Sequence, residues 1–294
     1  MTRRCAACHA ITPSHDVNCC QNCGLQFHKP QFPSSSPNDK IGSFDRTPSK
    51  HKPKEHDKSS LAKHSNPSLS NNDNDAKSSI PCKYKSLCGE YLKSLSWNDA
   101  LFDRRFNRCY CSNCYPNSLS NTLEEAGSLY VIPRGWCRFG LQVDKVRADV
   151  DHIWRNWIVT YHGTSSEAAH SIVAHRQFLI PGDKRIDGEK IAILPGHIKE
   201  KYHIYTSPTI AYSSVACYCP SSQFQSKITN KVYDARIVIQ CRQKPGTFEV
   251  QQETIGAGHK RICPFIPNSQ VEIFTTVRAS IVPYGILIHL AEVS

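Results

Sequence analysis

Apolar positions are unevenly spread along this chain, and their spacing divides it. Between residues 31 and 79 they nearly vanish after Ile41, Phe44 and Leu61, and Ser, Asn, Lys, Pro and Asp dominate. Such a segment cannot bury enough surface to offset its ordering entropy, so it reads as a disordered linker. From residue 155 onward the pattern turns into short apolar runs. Trp157-Ile158-Val159 leads into Thr160-Tyr161-His162-Gly163 and predicts a buried strand. Ala168, Ala169, Ile172 and Val173 follow at helical spacing. Thr164 and Glu167 form a capping-box pair before that helix, which sets a strand-to-helix turn on His162-Gly163-Thr164.

Further strands are predicted at 203–208, at 232–241 and at 271–276, with a last one at 280–290. Ser207 suits a helix N-cap and Pro208 the first helical position, ahead of Ile210, Ala211, Val215 and Ala216. Pro283 implies a kink or an edge position in the final strand. Several strands with a few short helices define an α+β class.

Cysteine spacing adds chemistry to this outline. Cys5-x-x-Cys8 and Cys20-x-x-Cys23, separated by eleven residues, offer four thiolates able to close around zinc as a ribbon. Cys19 is an alternative to Cys20, and His28 is spare. A second group follows at Cys82, Cys88, Cys109, Cys111 and Cys114. Its expected tetrad is Cys82, Cys88, Cys111 and Cys114, with Cys109 as an alternative ligand. Closed four-cysteine sites are structural, because catalytic zinc keeps an open position. The boundaries are then 1–30 for the zinc ribbon, 31–79 for the linker, 80–130 for a Cys-rich zinc module and 131–294 for the strand-rich domain.

Charge changes the picture little. The net charge is +11 over 294 residues. It divides into +4, +3 and +4 over residues 1–80, 81–158 and 159–294, with no basic stripe alternating with aromatics. Nucleic-acid binding is therefore not indicated, although a zinc protein of that kind is the weakest of three functional readings. No apolar run approaches the roughly 20 residues that span a bilayer, and Met1–Cys5 has no signal-peptide core, so an intracellular, cytoplasmic or nuclear, location is expected. Thiols held reduced there are metal ligands or buried groups rather than disulfides.

Tyr161-His162-Gly163-Thr164 at a strand end resembles the first motif of the ADP-ribosyltransferase fold of poly(ADP-ribose) polymerases. Ile204-Tyr205-Thr206-Ser207 is similar to the family's second motif, with Thr-Ser standing where the family has Phe-Ala. Val271-Glu272-Ile273-Phe274-Thr275 is similar to the strand that begins with the family's glutamate. The ordered series of Cys109-Tyr110-Cys111-Ser112-Asn113-Cys114, Pro133-Arg134-Gly135-Trp136-Cys137-Arg138-Phe139 and Tyr161-His162-Gly163-Thr164 resembles the C-terminal region of the neuralized-like protein 4 family, over roughly residues 82–290. The neuralized repeats of that family have no counterpart in these residues, so their adaptor role is not carried over.

The resemblance implies an ADP-ribosyltransferase-like mixed sheet and NAD as substrate. It gives catalytic roles to Glu272, His162 and Tyr205. Glu272 would favour oxocarbenium-like charge on the ribose. His162 would bond a ribose hydroxyl, the Gly163 backbone would pair with the nicotinamide amide, and Tyr205 would stack on its ring. Tyr212, with Tyr218 as an alternative, and Ser213, with Ser214 as an alternative, complete the NAD contacts. The rival reading is a catalytically inactive zinc adaptor in a ubiquitin-related complex, with protein partners bound through the zinc modules. Read without the resemblance, Tyr205 is an ordinary core aromatic and Glu272 a strand residue that faces solvent.

Overall fold

The computed structural model describes residues 82–293, apart from 181, 185–187, 189 and 192–201, together with two short strands near the N-terminus. Those strands, β1 (Arg3–Arg4) and β2 (Ile11–Thr12), pair antiparallel and bracket the first Cys-x-x-Cys. The ribbon cysteines Cys5, Cys8, Cys20 and Cys23, and the linker 31–79, lie outside the described residues.

The remaining elements follow in order: α1 (Lys83–Ser94), β3 (Arg108–Cys109), β4 (Thr122–Glu125), β5 (Ser128–Val131), β6 (Cys137–Gly140), α2 (Lys145–Val150), α3 (Ile153–Asn156), β7 (Ile158–Gly163), α4 (Ser166–His175), β8 (Ile204–Thr206), α5 (Ile210–Ser213), β9 (Ser222–Gln225), β10 (Val232–Gln243), β11 (Glu249–Gln251), β12 (Glu272–Thr275) and β13 (Ile281–Glu292). The class is α+β, with few helices. The large sheet runs β3-β6-β13-β10-β7, with β9 on the first half of β10, and a second sheet runs β11-β12-β8. Every pairing is antiparallel. The hairpin β4–β5 stands apart.

Strand alternation divides the interior into two cores. Ile237, Ile239, Ile286 and Ile288 face one core, which also takes Leu87, Cys88 and Tyr91 of α1 and Ala169 and Val173 of α4. Val238 and Leu287 face the other, filled by Tyr110, Tyr115, Tyr130, Trp136 and Tyr161. β10 is covered on both faces from Ile237 onward, which explains its Ile237-Val238-Ile239 run, and the buried Gln240, Arg242 and Gln243 follow it. Residues 82–130 contribute α1 and β3 to this same body, and β5 crosses the 130/131 boundary.

Three local expectations are corrected. The N-cap of α4 is Ser165, not Thr164: Ser165 Oγ accepts from Ala168 N–H at 3.2 Å, and Glu167 accepts from Ser166 Oγ rather than reaching back. α5 is capped by Thr209, with Pro208 ahead of the helix; Ser207 Oγ instead accepts from Thr209 N–H at 3.1 Å. Of the two positions expected for Pro283, the edge does not hold and the kink does: it lies in a central strand at a bulge. There Gln240 pairs with Gly285 and Cys241 with Pro283, so Tyr284 is an extra residue and the bulge accommodates the proline. Among the described residues no helix is long and apolar enough to cross a membrane.

Candidate functional site

Among the described residues two groups of side chains carry chemistry, one at the β3 edge of the large sheet and one where its β7 edge meets the second sheet. The first is a thiol cluster at the β3 edge. Cys82 is the N-cap of α1, where its Sγ accepts from Lys85 N–H at 3.4 Å. Cys109 ends β3. Cys111 and Cys114 share a tight turn in which Cys111 O accepts from Cys114 N–H at 3.1 Å and Tyr115 N–H at 2.8 Å. All four Sγ atoms lie within 4.8 Å of one another. Cys82 Sγ is 3.8 Å from Cys109 Sγ and 3.6 Å from Cys111 Sγ. Four sulfurs about 2.3 Å from a tetrahedral ion sit about 3.8 Å apart, so the spacing fits a bound metal.

The cluster brings together Cys82, Cys111 and Cys114 with Cys109, the alternative ligand. Cys88 is placed elsewhere. It lies six residues into the chain from Cys82, on the face of α1 turned to the sheet, is fully buried, and points its thiol at Ile288 O, 4.0 Å away. No spacing rule separates Cys88 from Cys109; the pairing of β3 with β6 does, and that pairing is long-range. Burial pushes the Cys111 thiol up, but the backbone amides of Cys114 and Asn113 and the thiols of Cys109 and Cys82 bring it below its ordinary value. The Cys109 thiol is raised, first by the Cys137 thiol beside it and then by burial.

The second group lies where β7, α5 and the second sheet meet. Tyr161 and Ser207 exchange backbone hydrogen bonds of 2.8 Å, which tie the edge of the large sheet to the chain leaving β8. This sets His162 beside β8, where its Nδ1–H donates to Tyr205 O at 2.7 Å. That bond selects the neutral tautomer whose Nε2 is an acceptor. Desolvation holds the His162 pKa below the usual value, opposed by the bond to Tyr205. Its ring meets Phe178 edge-on at 4.9 Å.

Gly163 is required by close approach. A Cβ there would lie 1.8 Å from Ser213 O. Ser213 Oγ in turn donates to Tyr161 O at 2.9 Å, so α5 is clamped to the end of β7. The next residue back, Tyr212, reaches Glu272. Tyr212 OH donates to Glu272 Oε2 at 2.5 Å, Thr254 Oγ1 donates at 3.0 Å, and Tyr218 OH lies at 3.5 Å. Gln251 Nε2 donates to the other oxygen. Glu272 is 2% exposed, so it does not face solvent. Burial, then the Glu272 charge, raises Tyr212 far above the ordinary phenol value; burial, then Tyr212 and Glu272, does the same for Tyr218. Both phenols therefore stay protonated and serve as donors.

Tyr205 pairs with Phe274 across β8 and β12, two positions from Glu272 and on the same face. Its half-buried ring lies 6.3 Å from Phe274, and its hydroxyl 3.3 Å from His203 Nδ1. His203 stacks on Phe274 at 4.7 Å. Sequence reasoning missed Gln251, Thr254, His203 and Phe274 as members of this group. The first two come from a stretch with no periodic signal, and only the β11–β12 pairing of Gln251 with Glu272 brings them in.

No family model matches the chain. What the described residues define is an α+β protein with a four-cysteine cluster that could hold a metal ion.

Proposed function

We propose that this protein is a zinc-stabilised, ADP-ribosyltransferase-like enzyme of neuralized-like type, which transfers ADP-ribose from NAD to a macromolecular acceptor. The observation that carries this reading is one line of contacts. Gly163, next to His162 at the end of β7, abuts Ser213, and the neighbouring Tyr212 grips Glu272 at the start of β12. Residues 110 positions apart are thereby served by a single short helix.

In this reading NAD is the substrate. His162 Nε2 accepts from a ribose hydroxyl, its orientation held by the Tyr205 carbonyl. Tyr205 and Phe274 offer aromatic faces to the nicotinamide ring. As the nicotinamide–ribose bond breaks, positive charge grows on the sugar, and the Glu272 carboxylate favours it from a site where few waters screen it. Tyr212, Tyr218, Thr254 and Gln251 keep that carboxylate in one orientation. The zinc bound by Cys82, Cys109, Cys111 and Cys114 is structural: a closed set of four thiolates leaves no position for water. Protein partners would dock on this zinc module, which spreads from α1 to the knuckle.

The second reading, an inactive zinc adaptor, is favoured by the burial of Glu272 and by the four donors that already occupy its oxygens. The discriminating experiment is transfer of labelled ADP-ribose from NAD by the full chain, with Glu272→Ala and His162→Ala beside it. Label on the wild type that is strongly reduced in both variants supports the enzyme. No label on any of the three leaves the adaptor.

A further inference from the structure

We propose that Cys109 and Cys137 form an oxidisable pair, which a small peroxide converts to a disulfide with release of the metal from the cysteine cluster. This goes beyond the transferase reading and does not depend on it.

Cys109 and Cys137 are direct partners across β3 and β6. One step along, Tyr110 N–H donates to Trp136 O at 2.9 Å. Ladder bonds alternate in an antiparallel pair, so Cys109 and Cys137 occupy a non-hydrogen-bonded position, with Cα atoms about 4.5 Å apart and side chains at their closest. That separation lies within the range of about 4.4–6.8 Å bridged by disulfides. The bond therefore forms without moving either strand.

The two thiols differ in what else they do. Cys109 is one of the four clustered sulfurs, and Cys137 is not. Cys137 is fully buried, in the same core as Cys109, where no solvent nucleophile competes for an oxidised neighbour. Cys114 is exposed and Cys82 and Cys111 are partly so, which opens the cluster to a small neutral oxidant. Cys88, another buried thiol of this core, also lies beside Cys137, but it is outside the cluster and its thiol points at Ile288 O, 4.0 Å away.

The step balances with hydrogen peroxide as the two-electron oxidant. The Cys109 thiolate attacks one peroxide oxygen, expels hydroxide and becomes a sulfenic acid. The Cys137 thiol attacks that sulfur, the S–S bond forms and water leaves. Both sulfurs are oxidised, and both peroxide oxygens are reduced. The metal is left with three thiolates and dissociates.

The test uses the zinc-loaded full chain, treated with hydrogen peroxide and followed with a chromophoric zinc chelator, then alkylated and mapped by peptide mass spectrometry. Zinc should be released in step with a linked peptide pair holding Cys109 and Cys137, which loses two hydrogens and returns on reduction. In the wild type, Cys137 should become inaccessible to alkylation under denaturing conditions as zinc leaves. Cys137→Ser should still bind zinc, release it more slowly, and trap a sulfenic acid on Cys109. Zinc release while Cys137 remains an alkylatable thiol would overturn the proposal. So would a disulfide mapped to Cys111 and Cys114 or to Cys88 and Cys137, or a chain that holds no zinc. The wild-type mapping decides the matter even if the serine variant does not fold.

Discussion

The cysteine cluster lies at the β3 edge of the large sheet and the Glu272 site where its β7 edge meets the second sheet, and they differ in what completes them. At the β3 edge, four thiols converge to sulfur–sulfur separations of 3.6 and 3.8 Å, where they offer one another little hydrogen bonding. That arrangement could hold a metal ion. At the β7–β12 edge a carboxylate is 2% exposed, and every group it needs is supplied by protein: Tyr212, Thr254, Gln251 and, at longer range, Tyr218. On the proposed reading an ion would cross-link α1, β3 and the knuckle, while the buried Glu272 relies on its protein donors, so the two should fail in different ways.

The largest effect is expected at the cluster. Chelation, or Cys109→Ser, should cost several kcal/mol, since structural zinc contributes roughly 10–16 kcal/mol in small metal-dependent domains. Differential scanning calorimetry with and without chelator measures this. Cys88→Ala sharpens the contrast. It should retain a full zinc equivalent by elemental analysis and lose only about 1–2 kcal/mol from its core contacts. Loss of zinc in Cys88→Ala with retention in Cys109→Ser would reverse the ligand assignment.

Next is Glu272→Ala, which orphans buried donors at roughly 1–3 kcal/mol each and should lower stability by about 2–4 kcal/mol in denaturant melts. Zinc content should not change. Gly163→Ala should follow at about 1–3 kcal/mol, because its methyl group would collide with a backbone carbonyl that has little room to move. A neutral Gly163→Ala would mean that α5 is not clamped to β7.

The smallest effect is in pH dependence. His162 has a folded pKa below its unfolded value near 6.5. The unfolded chain therefore binds the proton more readily. Stability present above that unfolded value is lost as pH falls through the window down to the lower folded value. His162→Gln should flatten part of this slope in urea melts taken downward from about pH 7. His289, also lowered by burial, contributes in the same direction and should leave a residual slope.

Much of the strand pattern was legible because it obeys local rules. The alternation of β10, the run before His162 and the final apolar strand all state their burial directly. Residue types at the candidate site were equally visible, since Glu272 begins a strand, His162 lies one residue before the end of another and Tyr205 sits in a short third one. What sequence did not yield was long-range. Cys88 and Cys109 are equivalent by spacing, and only α1's rotation and the β3–β6 pairing separate them. Thr254 and Gln251 enter the Glu272 site through the β11–β12 register and the loop between. Ser165 and Thr209 displaced the expected caps by one and two residues, because Ser, Thr and Asp are interchangeable in that role and tertiary packing chooses among them.

The measurement that tests the central claim most directly is calorimetric titration of NAD into the zinc-loaded full chain, repeated with Glu272→Gln and Tyr205→Ala. The account predicts saturable heat at one site, weakened by Tyr205→Ala, and retained in Glu272→Gln while label transfer is lost. No heat with NAD from a folded, zinc-loaded wild type would contradict it, and would leave His162, Tyr205 and Glu272 as parts of a sheet junction alone.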